Sequence, residues 1–244
     1  MYAIVTQAAG AELRVVDAQD YGHDLAALAE RVDADTRVVF LANPNNPTGT
    51  WFDQRAFDAL LARVRADTLV VVDEAYFEYV DEPGYPNARA SLDAHPNLVV
   101  LRTFSKAHGL AGLRVGYALA SPEVTDLLNR VRLSFNPNAV AQAAAVAAIA
   151  DAEHVHKTVV LNRAERARLD AGLRVLGLST IPSVCNFVTV DAGRPARDVF
   201  KALLAEGVIV RPLDGYGMPR HVRVSVGLPA ENDRLLAAMQ KVLG

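Results

Sequence analysis

The stretch Leu69–Tyr79 has the sequence LVVVDEAYFEY. Its four consecutive apolar residues are typical of a β-strand that is buried on both faces, as in a parallel sheet covered by helices. The apolar run stops at Asp73, and Tyr76 follows three residues later. Open α/β sheets bind ligands at the carboxyl ends of their strands. The stretch therefore predicts an α/β fold and points to one edge of the sheet as the place of a functional site.

Apolar runs of the same kind recur on both sides of this strand. Helical patterns separate them, and in Phe52–Arg65 the apolar residues recur at intervals of three and four. Strands that alternate with helices favour a mostly parallel sheet with helices on both faces. The other predicted elements of this part are strands Arg37–Leu41, Leu98–Leu101 and Val115–Leu119, helix Leu25–Arg31, and a strand-like run, ELRVV, at Glu12–Val16.

The pattern changes after an alanine-rich helix predicted at Asn136–Asp151. A long arginine-rich helix, Glu153–Leu176, comes next and is the predicted hinge element. Strands and helices are then arranged differently, which favours an α+β unit. The predicted elements of this unit are strands Asn186–Val190, Val208–Arg211 and Val222–Val226, helix Ala196–Glu206, and a last helix from about Glu231. We therefore predict two domains, residues 1–150 and the smaller 151–244.

The composition argues against several classes of protein. Hydrophobic residues make up 51% of the 244 residues, too many for a disordered chain, and the net charge of −3 gives no basic surface for nucleic acid. No apolar run is long enough to cross a membrane. The single cysteine, Cys185, excludes an internal disulfide and fits a reducing, cytoplasmic compartment. His154 and His156 point to different faces of one helix, so no metal site is expected.

Two polar groups follow predicted strands. The loop LANPNNPTGT, Leu41–Thr50, is rich in Asn and Pro, and a rigid turn of this kind could hold an amide such as that of Asn46 ready to bind a ligand. Asp73 could hold a cationic partner. For the loop rich in Asn and Pro, the alternative is a plain turn. For Asp73, the alternatives are a helix-capping residue or the acidic strand end of a magnesium ATPase. The ATPase would need a phosphate loop with a Gly-Lys pair, and glycine precedes none of the four lysines.

The segment RTFSKAHGLAGLRVGYA, Arg102–Ala118, follows the next strand. The hydroxyls of Thr103 and Ser105 and the guanidinium of Arg114 are suitable ligands for a phosphate group. Lys106 lies among small and apolar residues, where burial would lower the pKa of its amine and make it a nucleophile. The alternative is a solvated lysine in a glycine-rich loop.

A fourth segment, Val208–Gly227, has the sequence VIVRPLDGYGMPRHVRVSVG. Arg211 and Arg223 each lie on or at the end of a predicted strand, so two guanidiniums on adjacent strands could bind an anionic substrate group. The alternative is that both are ordinary solvent-exposed strand arginines.

Taken in order, NPNNPTG, DEAY, SK and the following arginine resemble the fold-type I pyridoxal-phosphate aminotransferases. The RTFSKAHGLAGLRVGY and IVRPLDGYG segments are most similar to those of the histidinol-phosphate aminotransferases. The resemblance covers essentially the whole chain. It implies an α/β fold with a mostly parallel sheet between helices, incomplete at its N-terminal side, together with a smaller C-terminal α+β domain.

The resemblance also implies the cofactor, pyridoxal 5′-phosphate, and roles around its ring. Lys106 would bond covalently to the cofactor aldehyde and then act as the base that moves a proton of the substrate. Asp73 would pair with the pyridine nitrogen and keep it protonated. Tyr76 and Asn46 would hydrogen-bond the ring hydroxyl oxygen.

The remaining implied roles concern anionic groups. Arg223 corresponds to the arginine that binds the carboxylate of amino-acid substrates, and Arg211 to the position associated with the phosphate of histidinol phosphate. The cofactor phosphate would be bound by Thr103, Ser105 and Arg114.

The reaction implied is transamination of histidinol phosphate with 2-oxoglutarate, giving imidazole-acetol phosphate and glutamate, a step of histidine biosynthesis. The alternatives are an aromatic-amino-acid aminotransferase, an enzyme like threonine-phosphate decarboxylase, or a non-catalytic remnant of the fold. By resemblance we expect a homodimer. Family members have an upstream strand, a glycine-containing loop and a ring-stacking aromatic residue, and we expect that this N-terminal part is missing before Met1.

Overall fold

The computed structural model describes residues 2–243, which form two four-stranded sheets and eight α-helices. The helices are α1 Tyr2–Ala8, α2 Leu25–Arg31, α3 Gln54–Leu61, α4 Pro122–Val131, α5 Ala139–Ala150, α6 Ala152–Val175, α7 Ala196–Ala205 and α8 Pro229–Leu243. The strands are β1 Val38–Ala42, β2 Leu69–Asp73, β3 Leu98–Thr103, β4 Gly116–Ala120, β5 Ser179–Ile181, β6 Phe187–Asp191, β7 Arg211–Pro212 and β8 His221–Ser225.

The first sheet has the strand order β1-β2-β3-β4. Strands β1, β2 and β3 are parallel, and β4 is antiparallel to β3. Alternate residues of β2 point to opposite faces, so Val70 and Val72 join the core that includes Phe57 of α3, whereas Val71 packs with Val124 of α4. Helices thus cover both faces, and the predicted mostly parallel sheet is confirmed.

Five of the eight helices, α2 to α6, begin where the sequence provides a capping side chain. The Asp53 carboxylate, for example, accepts a hydrogen bond from the amide of Ala56, 2.7 Å away, at the start of α3. Such a cap satisfies one of the amides that the first helical turn leaves without a partner. The caps of α2, α4, α5 and α6 are Asp24, Ser121, Asn138 and Asp151.

The second sheet has the order β5-β6-β8-β7 and is antiparallel throughout. Its core is shared with three helices, which contribute Leu169 of α6, Leu203 of α7 and Met239 of α8. The last part of the chain is therefore an α+β unit, as the sequence predicts. The proposed division at residue 150 stays a prediction.

Two predicted strands differ from the structure. Residues 12–16 form no strand, because β1 pairs only with β2 and no other strand within residues 2–243 pairs with ELRVV; Val15 is exposed. The strand predicted at Val208–Arg211 is reduced to β7, which begins at Arg211. Within residues 2–243, no helix combines the length and apolar character needed to cross a membrane.

The loop after β1 joins the two sheets. The amide of Val184 donates a hydrogen bond to the carbonyl of Gly49, 3.0 Å away, and the Thr189 hydroxyl donates to the carbonyl of Pro47. Gly49 has φ +80°, and a Cβ there would lie 2.0 Å from Ser183 Oγ, so only glycine fits. This contact places Asn46, on the same loop, beside the second sheet.

Candidate active site

Asp73 ends β2 and is partly buried. Its Oδ1 accepts a hydrogen bond from the amide of Ala75, 3.1 Å away, and its Oδ2 accepts one from the Tyr2 hydroxyl, 2.8 Å away. Neither bond comes from a backbone amide in the first turn of an α-helix, because the Tyr2 donor is a side-chain hydroxyl and Ala75 lies in no α-helix, so Asp73 is not a helix cap. Its carboxylate is a negative charge held at the carboxyl end of the parallel sheet.

Lys106 lies in the loop between β3 and β4, with Nζ 5.1 Å from the centre of the Tyr76 ring. The loop folds back on itself because the amide of Gly109, at φ +73°, donates to the Lys106 carbonyl. Burial, with a further contribution from the charge of Arg223, lowers the pKa of the Lys106 amine. This is the environment of a nucleophilic lysine rather than of a solvated one.

A chain of contacts connects Tyr76 with the second sheet. The Asn46 amide nitrogen donates to the Tyr76 hydroxyl, 3.4 Å away, and the Asn46 carbonyl oxygen accepts from Arg223 Nη1. Phe187 packs edge-on against Tyr76, with ring centres 5.3 Å apart, and the Arg223 guanidinium lies 5.0 Å from the Phe187 ring centre. Burial raises the pKa of Tyr76 to about 12, so its hydroxyl stays protonated near neutral pH.

Arg223 and Arg211 lie directly opposite each other on β8 and β7, where side chains of an antiparallel pair share a face. Arg211 is exposed, whereas Arg223 is partly buried. The Nε of Arg223 is buried and has no hydrogen-bond partner among residues 2–243. A buried donor without a partner is costly, and a carboxylate would satisfy it.

The three predicted phosphate ligands lie around the Lys106 loop. Thr103 Oγ1 accepts a hydrogen bond from the amide of Ser105, 3.1 Å away. Arg114 is exposed, has the uncommon φ of +54°, and contributes to the lowered pKa of Lys106 through its charge. Two hydroxyls and a guanidinium are therefore present near the amine, a donor set suited to a phosphate group.

Sequence reasoning missed several residues of this region. Tyr2 contacts Asp73, and Phe187 packs against both Tyr76 and Arg223. Glu74 forms an ion pair with Arg102, with 2.8 Å between Oε2 and Nη2. The signal that could have pointed to the Glu74–Arg102 pair is an acidic residue inside a buried segment, since Glu74 directly follows Asp73. Within residues 2–243 no cluster of His, Cys, Asp or Glu could hold a metal ion.

A sequence profile described as aminotransferase class I and II matches residues 1–239. The chain belongs to this aminotransferase family. It is 56% identical over 243 residues to proteins named histidinol-phosphate aminotransferase 2 from Pseudomonas fluorescens and Pseudomonas aeruginosa. The matches cover 100% of this chain and 66% of each relative, so the chain spans about two thirds of their length.

A solved structure has the same fold. The histidinol-phosphate aminotransferase of Sinorhizobium meliloti, in complex with pyridoxal-5′-phosphate, superposes with a TM-score of 0.90 at 33% identity, over 99% of this chain and 67% of that one. The chain therefore has the fold-type I aminotransferase architecture, as the sequence motifs predict. The lysine, carboxylate and arginines described above lie within this architecture.

Proposed function

We propose that this chain carries the cofactor-binding and substrate-binding residues of an aminotransferase that uses pyridoxal phosphate and acts on histidinol phosphate. The observation that carries the proposal is the partly buried amine of Lys106, which lies beside the Tyr76 ring and is influenced by the charges of Arg223 and Asp73. The names of the relatives at 56% identity support the choice of substrate.

The side chains present fit the cofactor by their chemistry. The Asp73 carboxylate suits a protonated ring nitrogen, and the Asn46 amide and Tyr76 hydroxyl suit a ring hydroxyl. Thr103, Ser105 and Arg114 suit the phosphate, and the Lys106 amine suits the aldehyde. When bound, pyridoxal phosphate supplies an aldehyde that reacts with amines and a ring that accepts electrons from the substrate carbon.

Lys106 is the proposed base. A lowered pKa leaves more of its amine uncharged near neutral pH, and an uncharged Nζ can take a proton from the substrate carbon and return it elsewhere. Tyr76, whose ring lies next to Nζ, restricts where the amine can move and excludes water from that side.

The two arginines are the proposed anion ligands. Arg223 offers its Nε, which has no hydrogen-bond partner within residues 2–243, to the carboxylate of glutamate or 2-oxoglutarate. Arg211, opposite it and exposed, would bind the phosphate of histidinol phosphate. Guanidinium groups bind both anions through paired hydrogen bonds, which orient the substrate as well as attract it.

A visible absorption spectrum with added pyridoxal phosphate tests the cofactor assignment. We expect a band from lysine-bound cofactor that is lost in Lys106→Ala and kept in Lys157→Ala, Lys201→Ala and Lys241→Ala. Absence of the band in the wild-type chain would contradict the proposal and favour a non-catalytic remnant.

A comparison of substrates tests the assignment of histidinol phosphate as the substrate. Transamination of histidinol phosphate should exceed that of phenylalanine by at least about tenfold, since only the first offers a phosphate to a guanidinium, and a charged hydrogen bond of this kind is worth about that factor. A preference for phenylalanine would favour an aromatic-amino-acid aminotransferase. Loss of carbon dioxide from an amino-acid phosphate would favour a decarboxylase.

We also propose that the protein acts in the cytoplasm as a homodimer. A single cysteine, Cys185, fits a reducing compartment.

Support for the dimer comes from α4, α5 and the segment between them, which expose an unusual amount of apolar surface, including Phe135 at 96% and Val146 at 72% exposure.

A further inference from the structure

Tyr2 makes two contacts that the proposed function does not use. Its ring stacks on Phe40 of β1, with centres 4.9 Å apart and planes 9° from parallel. Its hydroxyl donates to Asp73 Oδ2, 2.8 Å away, across 71 positions of the chain. The Thr6 hydroxyl donates to the Tyr2 carbonyl within the same helical turn, 2.9 Å away. Ring and hydroxyl therefore fix this side chain against the sheet at two separate points.

The two contacts lie on one face of the sheet. Asp73 and Val71 alternate with Val72 along β2 and so share a face, and Phe40 packs against the apolar cluster to which Val71 belongs. Tyr2 lies over the same face. Its phenol is partly buried, and burial together with the Asp73 charge raises its pKa, so the hydroxyl remains a donor at any physiological pH.

The hydrogen bonds around Asp73 leave room for a further partner. A carboxylate has about four acceptor positions, and the amide of Ala75 and the hydroxyl of Tyr2 use one on each oxygen. Donors on both oxygens fix the rotation of the carboxylate. One acceptor position per oxygen then remains for a cationic ring nitrogen.

We propose that Tyr2 is a positioning residue of the active site, which holds the Asp73 carboxylate in the rotation that pairs with a protonated ring nitrogen of the cofactor. This inference rests on the proposed function, because it assigns the partner of Asp73. Tyr2 itself touches no reacting atom and acts only through Asp73.

Tyr2→Phe is the matched variant, since it keeps the ring on Phe40 and removes only the hydroxyl. Tyr21→Phe is the control, because Tyr21 is exposed and does not contact Asp73. In Tyr2→Phe, the 15N chemical shift of ring-labelled cofactor should move toward the value of an unprotonated ring nitrogen. Loss of one hydrogen bond to a charged group should lower kcat roughly tenfold, with KM for histidinol phosphate nearly unchanged.

Two results would overturn the assignment. One is an unchanged 15N resonance and kcat in Tyr2→Phe. The other is tighter cofactor binding and a higher kcat, which would mean that Tyr2 obstructs Asp73 instead of orienting it.

A double-mutant cycle in the cofactor-free chain separates this inference from the proposed function. Urea unfolding of Tyr2→Phe, Asp73→Asn and the double variant should give a coupling of roughly tenfold in the unfolding constant. No coupling overturns the Tyr2 assignment alone. Failure of the wild-type chain to form the absorption band overturns the proposed function, whatever the cycle gives.

Discussion

Glu74 lies next to Asp73 and is 1% exposed. Its Oε2 is paired with Arg102, while its Oε1 has no hydrogen-bond partner in the described part of the chain. Burial raises the pKa of Glu74 to about 7, although the Arg102 charge opposes the change. A carboxyl group with a higher pKa in the folded chain binds its proton more tightly there. Its contribution to stability is therefore complete below pH 4.5, the unfolded value, and is lost as the pH rises toward 7.

This residue gives a pH-dependent prediction. Between about pH 5 and pH 7, Glu74 should contribute a falling free energy of unfolding, with a slope of at most about 1.4 kcal/mol per pH unit. Glu74→Gln should flatten that slope in urea titrations. Glu153→Gln is the control, because Glu153 is exposed and should leave the slope unchanged. Equal slopes in the wild-type chain and Glu74→Gln would show that Glu74 is ionised throughout this range.

At the scale of elements, the loop after β1 determines which side chains of the two sheets meet. Gly49 contacts Ser183 and Val184, and three residues before it Asn46 reaches Arg223, 177 positions away in sequence. The contact explains how a residue of the second sheet is brought next to Tyr76. It also makes the loop sensitive to a single added methyl group.

Gly49→Ala should destabilise the chain by at least about 1 kcal/mol, because alanine is strained at positive φ and its Cβ would overlap Ser183. The same substitution should weaken cofactor binding by shifting Asn46. Gly112→Ala is the matched control, since a Cβ there meets no atom within 4 Å. Urea unfolding measures the first effect and a cofactor titration the second. Equal stabilities for the two variants would contradict the role given to this loop.

The elements also show which features sequence alone can predict. Strands β2 and β3 were predicted within two residues, because their apolar runs are unbroken and end in polar residues. ELRVV has the same local character and forms no strand, because pairing depends on a neighbour that no local pattern specifies. The motifs predicted Lys106 and Asp73 as site residues. The Tyr2–Asp73 contact could not be predicted, since nothing in YAIV distinguishes Tyr2 from a core residue.

At the scale of the whole molecule, the apolar surface of α4 and α5 is the feature that the fold leaves without a partner in residues 2–243. Helix α5 consists almost entirely of Ala, Val and Ile, yet only Ala141 is buried. A helix that is apolar on every side is normally enclosed by protein. This surface is the reason to expect that the chain associates with a second copy.

Sedimentation velocity should therefore give the mass of a dimer at micromolar concentration. Val146→Glu should shift the chain toward the monomer, because the carboxylate would have to be desolvated in the interface. Ile209→Glu is the control, since Ile209 is 79% exposed and lies in the segment between α7 and β7 rather than on α4 or α5. A monomer in the wild-type chain, or an unchanged mass in Val146→Glu, would contradict this assignment.

The central claim is that Lys106 is the lysine that holds the cofactor. The most direct test is to load the wild-type chain with pyridoxal phosphate, reduce the lysine–cofactor linkage with borohydride, and locate the added mass by peptide mass spectrometry. We predict that the peptide containing Lys106 carries the pyridoxyl group and that peptides containing Lys157, Lys201 and Lys241 do not. A label on one of those three lysines, or no label on any peptide, would contradict the account.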